Sequence, residues 1–258
     1  MVAGEFPPLQ GGLGDYTNLL CQQLVPLGIE VGVVTSKAAG ERAHGKGFPV
    51  APAVGRWDFL CWPELGKRIR TMNANIIHVQ YQTAAYGLHP AINLLPLALR
   101  LAKNPAKVVF TFHDLEAPYQ LWLRGPVRHL AMRAGERKCD GFVATNSADF
   151  QRLLATRPGP PWARYHLIPI GANVPRQPPP RYTREAQRKK LHAGARTLLL
   201  SHFGLLNQSK GFPDLLAAMK LLVEQGRDVR LLLIGGTTGS SDATNVAFAD
   251  AARGQIAE

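Results

Sequence analysis

Cysteine is scarce in this chain, as are acidic residues and long apolar runs. Cys21, Cys61 and Cys139 are far apart and odd in number, and no pair sits at metal-ligand spacing. That excludes a disulfide framework or a zinc motif legible in sequence, and leaves reduced thiols in a cytosolic protein as the expectation. The most apolar stretch, AINLLPLALRLA at 91–102, is broken by Pro96 and Arg100. It falls short of the roughly 20 residues needed to span a bilayer. Met1 is followed by Val-Ala-Gly-Glu rather than by a basic and then an apolar segment, so no secretory leader is read. Short-period repeats and low-complexity tracts are missing as well. These absences predict a cytoplasmic protein, soluble or peripheral at the inner face of the membrane.

What is present is a globular composition, 46% hydrophobic and 19% charged over 258 residues. Thirty basic residues against 18 acidic ones give a net charge of +12. Such a charge suits nucleotide diphosphates, an anionic membrane or nucleic acid, and also a surface on which Arg merely replaces Lys. Nucleic acid is the weakest of these, because no recognised binding module is present and the charge is dispersed.

Apolar runs at 30–35, 75–80, 107–112, 141–145 and 165–170 alternate with helix-like segments at 13–27, 63–72, 90–102, 120–138 and 146–155. Strands that are apolar throughout belong to a parallel sheet covered on both faces, and the alternation reads as a doubly wound α/β domain over 1–170. Val2-Ala3 reads as the tail of a first strand. Residues 171–182 (GANVPRQPPPRY) carry four prolines and no apolar period, so they read as a linker. A helix at 183–192, a strand at 197–204, a helix at 210–226 and a strand at 229–236 then restart the pattern, with a last helix at 245–257. This second unit, 183–258, is shorter than the roughly 100 residues usual for a nucleotide-binding α/β domain. The expectation is a partial domain and a fragmentary chain.

Three segments carry chemistry. In GEFPPLQGGLGDYTNLL at 4–20, a strand end passes through a Pro-Pro turn and Gly11, Gly12 and Gly14 into a helix. Glycines there permit a close backbone approach, and a helix start favours an anion such as diphosphate. The same glycines also suit plain strand–helix packing. The spacing G-G-x-G is not the dinucleotide fingerprint, and Thr35-Ser36 stands where a ribose-binding acid would be. In VVFTFHDLEAPY at 108–119, His113 and Asp114 follow a buried strand, at the end of the sheet where ligands bind. In FGLLNQSKGFPDLLAAM at 203–219, a strand, Gly204, a polar turn and Lys210-Gly211 lead into a helix, which suits a phosphate.

The order of these pieces resembles the family-4 retaining glycosyltransferases. The resemblance rests on the PPxxGG loop from Pro7 to Gly12, on TFHD, on HLIPIGANV at 166–174, on the KG before a helix at 210–211 and on LLLIGG. It implies a GT-B fold of two Rossmann-like doubly wound α/β domains, the second incomplete. It also implies a nucleotide diphosphate-sugar donor, an acceptor of unknown kind and no cofactor or bound metal. Gly11, Gly12 and Gly14 would line the cleft near the donor diphosphate, with Gly204 and Lys210 on the donor side. His113 would contact the transferred sugar, and Lys210 would neutralise the leaving diphosphate.

The chain departs from the family in three places. Leu205 stands where the family has an arginine, whose loss removes a contact worth about 1.5–3 kcal/mol. Ile170 and Asn173 replace the asparagine and aspartate of an NGVD-like segment. The family's pair of glutamates would lie beyond Glu258. Two alternatives therefore stay open: a sugar-nucleotide epimerase of the same fold, or a non-catalytic nucleotide- or sugar-binding remnant. The basic segment 119–138 (YQLWLRGPVRHLAMRAGERK) suits either an anionic membrane surface or an ordinary solvated helix.

Overall fold

A computed structural model describes residues 1–115, 137–155, 164–173, 177–204 and 211–235. The chain divides into two units, Met1–Asn173 and Val174–Glu258. The helices expected at 120–138 and 245–257 lie wholly or almost wholly outside the described residues.

In the first unit, β1 (Val2–Ala3), β2 (Val33–Ser36), β3 (Val50–Val54), β4 (Ile76–Tyr81), β5 (Lys107–Phe112), β6 (Gly141–Ala144) and β7 (Tyr165–Leu167) form a parallel sheet. Its order is β3-β2-β1-β4-β5-β6-β7. The described helices are α1 (Gly12–Leu24), α2 (Cys61–Thr71), α3 (Ala91–Leu101) and α4 (Ser147–Ala155). The chain runs outward from β1 to β3 and then crosses back to β4. The strand order therefore reverses between β1 and β4, and the crevice at their carboxyl ends is the expected ligand position.

The two faces of β4 and β5 differ in chemistry. Ile77, Val79 and Tyr81 alternate with His78 and Gln80, in register with Val108, Phe110 and Phe112 alternating with Val109 and Thr111. The apolar set joins an aromatic row across four strands. Tyr81 meets Phe112 at 5.4 Å, Phe112 stacks on Phe142 at 6.2 Å, and Phe142 stacks on Tyr165 at 5.1 Å. Such ring pairs add about 0.5–1.5 kcal/mol each beyond buried area. The other set, Val109 apart, is polar: His78 Nε2 lies 2.7 Å from Thr111 Oγ1.

Below the ligand end, the Asp140 carboxylate accepts from the Val108 N–H and pairs with Arg100 and Lys107. Burial opposes its charge, but these donors hold it below the usual carboxylate range.

Two differences from the sequence reading have a plain physical cause. The first helix ends at Leu24 rather than at 27, because a 3₁₀ turn holding Pro26 follows and Gly28 closes it at φ 79°. The strand β3 was not expected at all. Its Pro52 argues against a central strand, and β3 indeed forms a sheet edge, where a missing N–H is tolerated.

The second unit holds α5 (Arg184–Lys190), β8 (Leu198–Phe203), α6 (Phe212–Glu224) and β9 (Val229–Ile234). The strands β8 and β9 are parallel partners. Thr183 caps α5 by accepting from the Ala186 N–H at 3.2 Å. Phe212, fully buried, packs with Leu215, Leu216 and Leu231 under α6.

Candidate functional site

Three connections meet at the carboxyl end of the first sheet: β1 to α1, β4 to α3, and the segment after β5. The β1 connection passes so close to the β4 connection that a Cβ on Gly4 would strike the Ala85 carbonyl. Tyr86 fixes this contact. Its hydroxyl reaches the Gln80 carbonyl at 2.7 Å and the Val2 carbonyl at 3.2 Å. Burial drives its phenol far above the ordinary range.

The glycine loop is organised by a residue not singled out in the sequence. Glu5 is buried, and its carboxylate accepts from the Gly14 N–H at 3.4 Å. A negative group at a helix start is stabilised by the free amides and the dipole. A Cβ on Gly11 would collide with that carboxylate, and one on Gly14 would come within 3.0 Å of Phe6 Cα. Gly12 differs from both, since a Cβ there meets nothing within 4 Å. Gly11 and Gly14 are thus accounted for by internal packing, and Gly12 faces open space.

His113 stands one residue past β5, its backbone N–H bonded to the Tyr81 carbonyl at 3.0 Å. Its Nε2 lies 3.0 Å from Gln80 Oε1, and its ring meets Tyr16 of α1 edge-on at 4.6 Å. Burial pushes its pKa down to about 4. His78 is also pushed down to about 4, by burial and then by the Met1 amino group and His113. At neutral pH the imidazole of His113 is therefore an uncharged hydrogen-bonding group. Asp114 is exposed beside it.

Beyond the β1–β4 crevice lies an aromatic group that the sequence analysis did not mark. Trp57 meets Tyr86 at 4.8 Å, and Phe59 meets Trp62 at 5.1 Å and His89 at 4.9 Å. Two short stretches, 57–62 and 86–89, supply these residues, and the fold brings the stretches together.

In the second unit, Gly204 follows β8 at φ 134°, and a Cβ there meets nothing within 4 Å. A Cβ on Gly235, after β9, would collide with the Gly204 carbonyl, so the two strand ends meet backbone to backbone. Gly211 caps α6 in the left-handed region at φ 69°. Lys210 and Leu205 lie outside the described residues. The structure thus brings the glycine loop and His113 to one end of the first unit and describes Gly204 within the second. Among the described residues, no group of three or more His, Cys, Asp or Glu side chains could hold a metal ion. No helix among them is long and apolar enough to cross a membrane.

The model of Glycosyltransferase Family 4 matches residues 10–176, more than half of the chain. The chain belongs to Glycosyltransferase Family 4. No curated protein matches the sequence. Among solved structures, the E. coli trehalose-6-phosphate synthase bound with UDP-2-fluoro glucose is similar, with a TM-score of 0.56 and 14% identity over 99% of this chain and 67% of its own. A Listeria monocytogenes protein described as a UDP-N-acetylglucosamine 2-epimerase has a TM-score of 0.52 and 14% identity over 98% of this chain and 65% of its own. Both share the GT-B fold with this family-4 chain, which spans about two thirds of the length of each.

Proposed function

We propose that this family-4 chain serves a glycosyltransferase that takes its sugar from a nucleotide diphosphate-sugar and transfers it with retention of configuration. The observation that carries the reading is the family match over 10–176, whose span includes the glycine loop and His113. The UDP-2-fluoro glucose bound in a similar structure supports the donor class.

In this reading the bond from the sugar's anomeric carbon to the diphosphate breaks through an oxocarbenium-like transition state. The acceptor hydroxyl attacks and passes its proton to the diphosphate oxygen that leaves with the electron pair. Lys210 would neutralise that leaving group, together with free helix amides, in place of a metal ion. His113, uncharged at neutral pH, would hydrogen-bond a hydroxyl of the transferred sugar. Gly12 and Gly204 leave room for the donor at their strand and helix ends. A protein acting at an anionic membrane surface would find its contact in the basic segment 119–138.

Calorimetry with UDP-, GDP- and ADP-sugars and with NAD tests the donor class. Binding of one nucleotide sugar with no response to NAD is expected, and the reverse result would sink the reading. The 2-epimerase likeness favours a second reading, epimerisation of the same donors. Product analysis with and without an added acceptor sugar separates the two, because only an epimerase inverts a ring carbon of the sugar, whereas a transferase passes the sugar unchanged to the acceptor or to water.

A further inference from the structure

Gln80 is fully buried on β4, and its side chain meets the His113 ring and the Met1 thioether. Its Oε1 lies 3.0 Å from His113 Nε2, and its Nε2 lies 3.8 Å from Met1 Sδ. An amide carbonyl only accepts, and a thioether offers only an acceptor, so this pair of neighbours sets the orientation of the amide. The imidazole nitrogen facing Gln80 must then carry the proton. The lone pair of the ring is left on Nδ1.

Backbone geometry fixes both partners. Gln80 sits in register with Thr111 between β4 and β5, and its carbonyl is held by the Tyr86 hydroxyl. His113 is pinned through its N–H to Tyr81. Tyr16 sets the plane of the ring from α1. Among the described residues, the titratable groups around the ring are Tyr16 on α1, His78 on β4 and Asp114 next in the chain.

We propose that Gln80 is a positioning residue for His113. Its side-chain carbonyl locks the ring as the Nε2–H tautomer, so that Nδ1 is offered as an acceptor to a ligand hydroxyl. A ring held this way suits a sugar O–H and not a phosphate oxygen, which would need a donor or a cation. Only the identity of the ligand rests on the transferase reading.

The test is long-range proton–nitrogen NMR on the nitrogen-labelled full chain, with His113 assigned by the signal lost in His113→Gln. The expected result is the Nε2–H tautomer, unchanged between about pH 5.5 and about pH 8, a range that brackets the ordinary histidine value. Gln80→Glu places a carboxylate against Nε2 and should convert the ring to imidazolium at neutral pH. Gln80→Leu should give mixed tautomers and weaken UDP-glucose binding by about tenfold, the loss of one aligned hydrogen bond. An Nδ1–H tautomer in the unmodified protein, or titration at the ordinary histidine value, overturns the proposal. That readout needs neither a variant nor a ligand, so it holds even where Gln80→Leu fails to fold, and it is independent of the transferase reading.

Discussion

The strands of the two units are alike in composition and unlike in fate. In the first unit Val79, Phe110 and Phe112 are buried within a seven-stranded sheet. In the second, Leu198, Phe203, Leu233 and Ile234 on β8 and β9 are exposed, Phe203 by 73%. Apolar sequence makes a strand in both units, but burial depends on the number of neighbouring strands and on covered faces. The described part of the second unit pairs two strands under one helix and secures a single fully buried ring, Phe212. Rigidity should follow burial, so the first unit is the platform on which a site can be held to tight geometry.

The sharpest way to break this comparison is to remove one ring from each unit. Phe112→Ala should cost about 3–5 kcal/mol in urea unfolding, through lost burial and a cavity in the aromatic row. A loss below 1 kcal/mol would mean the row is not tightly packed.

Next in size is the chemical contrast between the units. In an enzyme with a complete second domain, Lys210→Ala should lower turnover by about 10²-fold with little change in stability, as removal of a transition-state charge contact does. Steady-state rates and melting curves measured together check it, and an unchanged rate refutes the role assigned to Lys210.

Acidification should loosen the first unit. His78 and His113 are both held near 4 when folded, below the ordinary histidine value of about 6.5. As pH falls from about 6.5 to about 4, the unfolded chain takes up protons that the folded ring resists, so stability falls with pH across that window. Urea midpoints at pH 7 and pH 5, each repeated with His78→Gln, measure the slope, and His78→Gln should flatten it.

Gly11→Ala should lower stability by about 1–3 kcal/mol, because its Cβ displaces the Glu5 carboxylate from the helix start. Gly12→Ala, opening onto free space, should be close to neutral for folding. Equal effects in the two variants would remove Glu5 from the account. The smallest change belongs to the second unit, where Phe203→Ser should alter stability by no more than about 0.5 kcal/mol.

The strands β4 and β5 were legible in sequence to within a residue, since each is a compact apolar run between breakers. The strand β3 was not, because Pro52 speaks against a strand until the sheet edge is known. At the site, His113 was visible as a polar residue at the tip of an apolar run. Gln80 was not, because it lies inside such a run, and only the alternation of faces shows that it meets His113 from the next strand. Glu5 was hidden for a similar reason, its partner Gly14 being nine residues away and across a turn. The glycines were noticed, but a sequence cannot tell a glycine that admits a ligand from one that admits the protein's own carboxylate.

The Tyr86 hydroxyl that joins the carbonyls of β1 and β4 gives the crevice its mechanical character. The strand order reverses at this seam, and the phenol adds to the backbone pairing of Val2 with Val79 and Ala3 with Gln80. A phenol clamped to both strands turns the seam into a wall rather than a spring. If the crevice takes a ligand, a floor braced in this way would leave selectivity to the shape of the guest and to the loops above.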